Sequence, residues 1–223
     1  MGRNAARRRP VGPSRTGGAA RRPYHPPLNI SAVLLAGGES RRMGKDKAMI
    51  VFHGKPLWQI QIELLRKLKP KEILVSARSD LSWRPADVKL ILDASPSRGP
   101  LSGLTAALVS METDHLLVLA IDLPFMTTEH LRHLCSLTMN GSGVVPLIEG
   151  NAEPLAAIYP KEAQAVFCEA LQGDNFSLQP IVRKLVARNM LLEIPISGPA
   201  REFYRNINEP QDFDGAASLP FGG

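Results

Sequence analysis

The chain has 223 residues, 44% of them hydrophobic and 22% charged, enough to bury a full core as one domain or two small ones. No run approaches about eighteen uninterrupted apolar residues, which excludes a membrane-spanning helix; Cys135 and Cys168 are too few and too distant for a disulfide framework or zinc site and read as small packing residues. The net charge of +6 belongs to the leader, because residues 1–28 carry seven arginines and no acid, leaving 20 basic against 21 acidic residues in a nearly neutral remainder, so nucleic acid is not the expected partner.

Residues 1–28 are rich in Arg, Pro, Gly and Ala and lack the apolar stretch of a secretory signal. They read as a disordered extension of the kind an upstream start codon would add, with a nucleic-acid-binding arm as the other reading. Ile30 to Ala36 is a short β-rich run. Leu57, Ile60, Ile62, Leu64, Leu65 and Leu68 then predict a helix with an apolar stripe, with Glu63 and Lys67 paired four apart on another face. Ile73 to Ser76 and Val88 to Leu92 read as strands, and helical material begins near Leu101. The six residues HLLVLA at 115–120 predict an interior strand.

Thr127 or Thr128 is suited to cap a helix through Leu137. Val144 to Leu147 and Leu155 to Tyr159 read as strands separated by a turn at 149–151. Lys161 to Leu171 and Ser177 to Ala187 have helical periods, Leu192 to Ile196 is extended, and a short acidic helix is expected around Glu209 to Phe213. This alternation predicts an α/β fold of three αβα layers, Rossmann-like, with a predominantly parallel central sheet. There is no internal repeat, so residues 29–215 are expected to form one domain with an embedded acceptor-binding portion, followed by a flexible tail at 216–223.

In such a sheet, ligands collect at the carboxyl ends of the strands. After the first predicted strand, Gly37 and Gly38 let backbone amides approach a base or phosphate closely. Arg41, Arg42, Lys45 and Lys47 follow, with Gly44 permitting a bend among them; arginine offers a planar fork and lysine a point charge to phosphate oxygens. The segment is neither a G-x-x-x-x-G-K-[ST] loop nor a G-x-G-x-x-G fingerprint, which argues against an ordinary ATPase and a dinucleotide enzyme. A surface loop with solvated cations is the alternative.

Asp122 leaves the HLLVLA strand directly. A carboxylate fixed at a strand end suits Mg²⁺, which takes one or two carboxylates together with substrate phosphates; a helix-capping aspartate is the alternative. Asp93, at the end of the third strand, is a candidate to orient a nucleotide or nearby lysines, or a plain turn residue. Asn206 and Asn208 flank Ile207 and would share a face of an extended segment. They are candidates to position a phosphate or metal, or else turn amides. The histidines form no metal motif; His130 and His133 read as a solvated helix face, and Trp58 and Trp83 as packing residues.

The ordered segments LLAGGESRRMGKDKA at 34–48, HGKPLWQ at 53–59, Asp93 with GPLSGLTAAL at 99–108, IDLPFM at 121–126, EPLAAIYP at 153–160 and NINEPQDF at 206–213 resemble the molybdenum cofactor guanylyltransferase family. The resemblance implies a Mg²⁺-dependent nucleotidyltransferase that moves GMP from GTP to the terminal phosphate of molybdopterin or molybdenum-molybdopterin, releasing pyrophosphate. It implies a GTP-binding set of Leu35, Ala36, Gly37, Gly38, Lys47, Asp93 and Asp122, with Asp122 the metal ligand and Asn206 and Asn208 on the acceptor side. Lys47, Arg42 and Asp122 are the expected catalytic groups. Gly38 resembles the guanine-selective rather than the cytidylyl branch.

Three departures stand out: Ile121 where the family often has cysteine, Ser76 where some members place asparagine, and an approach to Pro154 without the basic or histidine residue of others. A cytoplasmic enzyme is expected, with transient contacts to molybdopterin-loading proteins and recipient molybdoenzymes. Cytidylyl transfer to molybdopterin, nucleotidyl transfer to a sugar phosphate, and a nonenzymatic GTP-binding adaptor are the competing readings.

Overall fold

The computed structural model describes residues 29–37, 46–93 and 96–207. Gly38, Arg41, Arg42, Lys45, Asn208, the arginine-rich extension, the acidic helix expected after Ile207 and the tail lie outside the described residues.

Among the described residues, ten strands and five α-helices follow in chain order. They are β1 (Ser31–Leu35), β2 (Val51–Phe52), β3 (Lys55–Pro56), α1 (Leu57–Leu68), β4 (Glu72–Ala77), β5 (Lys89–Leu92), α2 (Pro100–Ser110), β6 (His115–Ala120) and α3 (Thr128–Ser136). Then come β7 (Gly143–Ile148), β8 (Asn151–Ala152), β9 (Ile158–Pro160), α4 (Gln164–Leu171), α5 (Leu178–Ala187) and β10 (Leu191–Pro195). The main sheet runs β10-β7-β9-β6-β1-β4-β5, with β8 on β7, while β2 and β3 form a separate hairpin. Every neighbour pair on that path is parallel except those of β9, which runs against β6 and β7. The fold is thus the expected α/β type, with a mixed, mostly parallel sheet.

β1 lies at the centre because it is apolar on both sides, as a strand covered on both faces must be. Its alternation divides the core in two. Ala32 and Leu34 point with Leu117 and Leu119 of β6 into a cluster with α1 and α3, while Val33 and Leu35 point with Leu116 and Val118 into one with α2, α4 and α5. Thr127 caps α3 by accepting from the backbone N–H of His130, and α1 closes on Lys69 in the left-handed region at φ 56°.

Two local expectations change. Glu63 makes its close contacts not with Lys67 but with Lys55 at 2.7 Å and Gln59 at 2.8 Å, because β3 brings the Lys55 ammonium onto that face of α1, and the charge of Lys67 acts on it only at longer range. The strand expected over Leu155 to Tyr159 is shorter. Pro154–Ala156 forms a 3₁₀ turn, capped by the Glu153 side chain on the Leu155 N–H, and only Ile158–Pro160 joins the sheet. A further 3₁₀ segment, Gly198–Tyr204, was not expected, because seven residues with apolar side chains only at its ends carry no helical period. Among the described residues no helix is long and apolar enough to cross a membrane.

Candidate active site

The parallel strands β1, β4, β5, β6, β7 and β10 all end at one edge of the sheet, and the loops leaving that edge carry the described candidate residues. Leu35 ends β1, and its carbonyl accepts from the Ile121 N–H at 3.2 Å, tying the first loop to the one after β6. Ala36 donates its N–H to the Ser76 carbonyl at 3.0 Å, continuing the β1–β4 ladder by one residue.

Asp93 is reached by close approach rather than by chance at a turn. The Ser76 hydroxyl donates to Asp93 Oδ1 at 2.6 Å and the Ser97 hydroxyl to Oδ2 at 3.4 Å. A Cβ on Gly37 would sit 3.2 Å from Asp93 Oδ2, and one on Gly103 would sit 2.3 Å from Ser76 Oγ and 3.1 Å from Asp93 Oδ1. The glycine of the first loop and the glycine in the first turn of α2 are therefore the clearances that let this carboxylate in. Ser76 is buried and spends its hydroxyl on Asp93.

Asp122 emerges from β6, and its carboxylate Oδ2 lies 3.3 Å from Lys47 Nζ, both side chains about one-fifth exposed. One packing contact and one backbone hydrogen bond order the Asp122 loop. Phe52 of β2 meets Phe125 of the Asp122 loop edge-to-face at 5.3 Å, which docks the Lys47 segment on that loop. The Ile207 N–H then donates to the Asp122 carbonyl at 2.9 Å, bringing the exposed Asn206 beside the same loop. Ile121 is buried and serves in packing.

Sequence reasoning missed the acid nearest in influence to Asp122. Burial pushes the Glu153 carboxyl above its usual range; the Leu155 N–H works against that shift, and the charge of Asp122 adds to it. Its position after β7 and before an X-Pro step was the available signal, obscured by the expectation of a strand there. Two carboxyl groups in one field favour a cation. Among the described residues no group of three or more His, Cys, Asp or Glu could hold a metal alone.

Beyond β7 the edge opens into a groove of about 490 Å³ lined by Ile148, Gly198, Pro199, Arg201, Glu202, Tyr204 and Arg205, where Arg205 Nε lies 2.9 Å from Glu202 Oε1. Arg201 pairs with Glu149, and the Arg205 guanidinium lies 4.1 Å from the Phe125 ring centroid. His130 is not the solvated residue expected: its Nε2 shares a 2.6 Å hydrogen bond with the Tyr204 hydroxyl, and its ring meets Phe203 at 5.0 Å. Burial, and then the charge of His133, lower its pKa. Cys135 is buried and its thiol pushed up to about 12, so it is inert packing.

A glycine in the first loop, a half-buried acid held by a serine, and a lysine–aspartate pair on a shared strand edge fit an α/β protein of the nucleotidyltransferase type. The chain belongs to the MobA-like NTP transferase family, whose domain matches residues 32–189. A probable molybdenum cofactor guanylyltransferase of Opitutus terrae is 32% identical over 188 residues, covering 83% of this chain and 93% of that protein. One of Natranaerobius thermophilus is 28% identical, covering 84% and 95%. The crystal structure of molybdopterin-guanine dinucleotide biosynthesis protein A from Archaeoglobus fulgidus superposes with a TM-score of 0.67 at 25% identity, covering 83% of this chain and 96% of that one.

Proposed function

We propose that this protein transfers GMP from GTP to the terminal phosphate of molybdopterin, with or without bound molybdenum, forming a guanine dinucleotide cofactor in the cytoplasm. The observation that carries the reading is the 3.3 Å approach of Lys47 to Asp122 at the strand edge, in a chain of this family.

Leu35, Ala36, Gly37 and Gly38 would receive the nucleotide, with Asp93 bounding its pocket through the clearance at Gly37. An acceptor phosphate oxygen attacks the α-phosphorus in line; the new P–O bond forms as the bond to the bridging oxygen breaks, and pyrophosphate leaves with the electron pair. The attacking phosphate is already anionic, so no strong protein base is required. Lys47 and Arg42 offset repulsion between the two anions and the charge that builds on pyrophosphate. Mg²⁺, held by Asp122 with triphosphate oxygens, would supply further neutralisation of that charge. Asn206 and Asn208 would orient the acceptor, and the groove offers it room beside Arg201 and Arg205, each paired with a glutamate that the acceptor phosphate would compete with. Molybdopterin-loading proteins and recipient molybdoenzymes would be transient partners.

Purified protein incubated with Mg²⁺, GTP and molybdopterin-loaded carrier should yield a guanine dinucleotide on mass analysis of the extracted cofactor. GTP binding without acceptor-dependent pyrophosphate release would instead favour an adaptor, and preference for CTP or a sugar phosphate would move the reading to another branch.

A further inference from the structure

Lys47 has a long, flexible side chain, so what the fold can fix is its root. That root is held from outside the phosphate-binding segment. Asp46 caps the 3₁₀ turn Lys47–Met49 with Oδ1, which accepts from the Ala48 N–H at 3.0 Å. Its other oxygen, Oδ2, accepts from the Trp83 indole N–H at 3.0 Å. With each oxygen committed in a different direction, the carboxylate has one orientation, and so has the turn that it caps.

Trp83 belongs to the connection between β4 and β5 and is anchored twice. It stacks on Trp58 of α1 with centroids 5.5 Å apart and planes 18° from parallel. Its neighbour Arg84 donates to the Val88 carbonyl at 2.6 Å, bracing the same connection. Of the two indoles, only that of Trp83 uses its N–H; that of Trp58 is buried without a partner among the described residues.

We propose that Trp83 is a positioning residue for Lys47, acting through Asp46 to aim the turn that carries the lysine toward Asp122. This goes one step deeper into the guanylyl-transfer reading and rests on it for its kinetic consequence. A lysine whose root wanders loses alignment in the transition state more than it loses substrate binding, because small displacements of a charge-stabilising group weaken catalysis sharply.

Trp83→Phe keeps the stack on Trp58 and removes the N–H, while Asp46→Asn keeps a capping oxygen and removes the acceptor facing the indole. Each should lower kcat for pyrophosphate release by about 3- to 10-fold, the weight of one modest hydrogen bond, with the acceptor KM unchanged. In a Lys47→Ala background, Trp83→Phe should cost nothing more, since the group that it aims is gone. An equal loss in both backgrounds, or unchanged kcat in both single variants, overturns the proposal. Hydrogen exchange supplies an arm independent of activity. The peptide spanning 46–52 should exchange faster in Trp83→Phe than in wild type, and unchanged exchange also overturns the proposal. Wild-type protein that makes no guanine dinucleotide would defeat the guanylyl-transfer reading, and the exchange result would still decide the role of Trp83.

Discussion

Around β1, β4, β5 and the start of α2, the strand edge has no slack: Gly103 lies where a methyl group would strike Ser76, and Ser76 is spent on Asp93. Beyond β7, the edge is a 3₁₀ segment, Gly198–Tyr204, whose Arg201 pairs with Glu149 while the following Arg205 pairs with Glu202, beside an open groove. Rigid packing on the first side suits recognition of one constant ligand, and the looser side, with its arginine–glutamate pairs, suits an acceptor with its own shape and charge. Lys47 and Asp122 sit where the two meet, so a substitution there should disable both halves, whereas one on either side should affect only its own substrate.

Asp122→Ala is expected to have the largest effect, abolishing Mg²⁺-dependent pyrophosphate release with the fold retained by circular dichroism; near-normal turnover would remove Asp122 from the chemistry. Lys47→Ala should follow, lowering kcat on the order of 10²- to 10³-fold, as loss of one well-placed charge-stabilising donor does elsewhere. The two sides separate at the next level. Gly103→Ala should rotate the Ser76 hydroxyl off Asp93 and raise the KM for GTP by roughly 10-fold, the scale of a hydrogen bond to a charged group, while leaving the acceptor KM alone. Arg205→Leu should do the reverse, raising the acceptor KM by about 3- to 10-fold through loss of a cation held on Phe125. Parallel changes in both Michaelis constants for either variant would erase the distinction between the sides.

How much of this is legible in the sequence follows the same division. The β1, β6, α2 and α5 segments declare themselves by unbroken apolar runs, by helical period, and by glycine or proline at their ends. That suffices to bring Gly37, Asp93 and Asp122 to one edge, because a parallel sheet puts all such loops on the same side. What escaped depends on contacts between residues far apart in the chain. Asp46 and Trp83 are 37 positions apart and His130 and Tyr204 are 74 apart, with no short-range pattern to join them. Glu153 was hidden for a different reason: Pro154 and the run after it look extended, and only the structure shows a 3₁₀ turn that buries the preceding carboxylate.

The contact between His130 and Tyr204 anchors the loose side and should make it sensitive to pH by a smaller amount than any kinetic effect above. Burial and the neighbouring His133 lower the His130 pKa in the folded protein relative to the ordinary 6.5, so the unfolded chain binds the proton more readily. Its contribution to stability is therefore complete above about pH 6.5 and is lost as the pH falls from there through the lowered folded-state value. The Tyr204 hydroxyl, pushed upward by burial and by the charge of Glu153, stays protonated throughout that window. His130→Gln keeps a hydrogen-bonding group and removes the titration. Urea unfolding at pH 7.5 and pH 5.5 should then show the variant gaining stability relative to wild type as the pH drops. A gap between the two proteins that stays constant with pH would mean that His130 protonates equally in the folded and unfolded chain, and the 2.6 Å contact with Tyr204 would have to tolerate the charged ring.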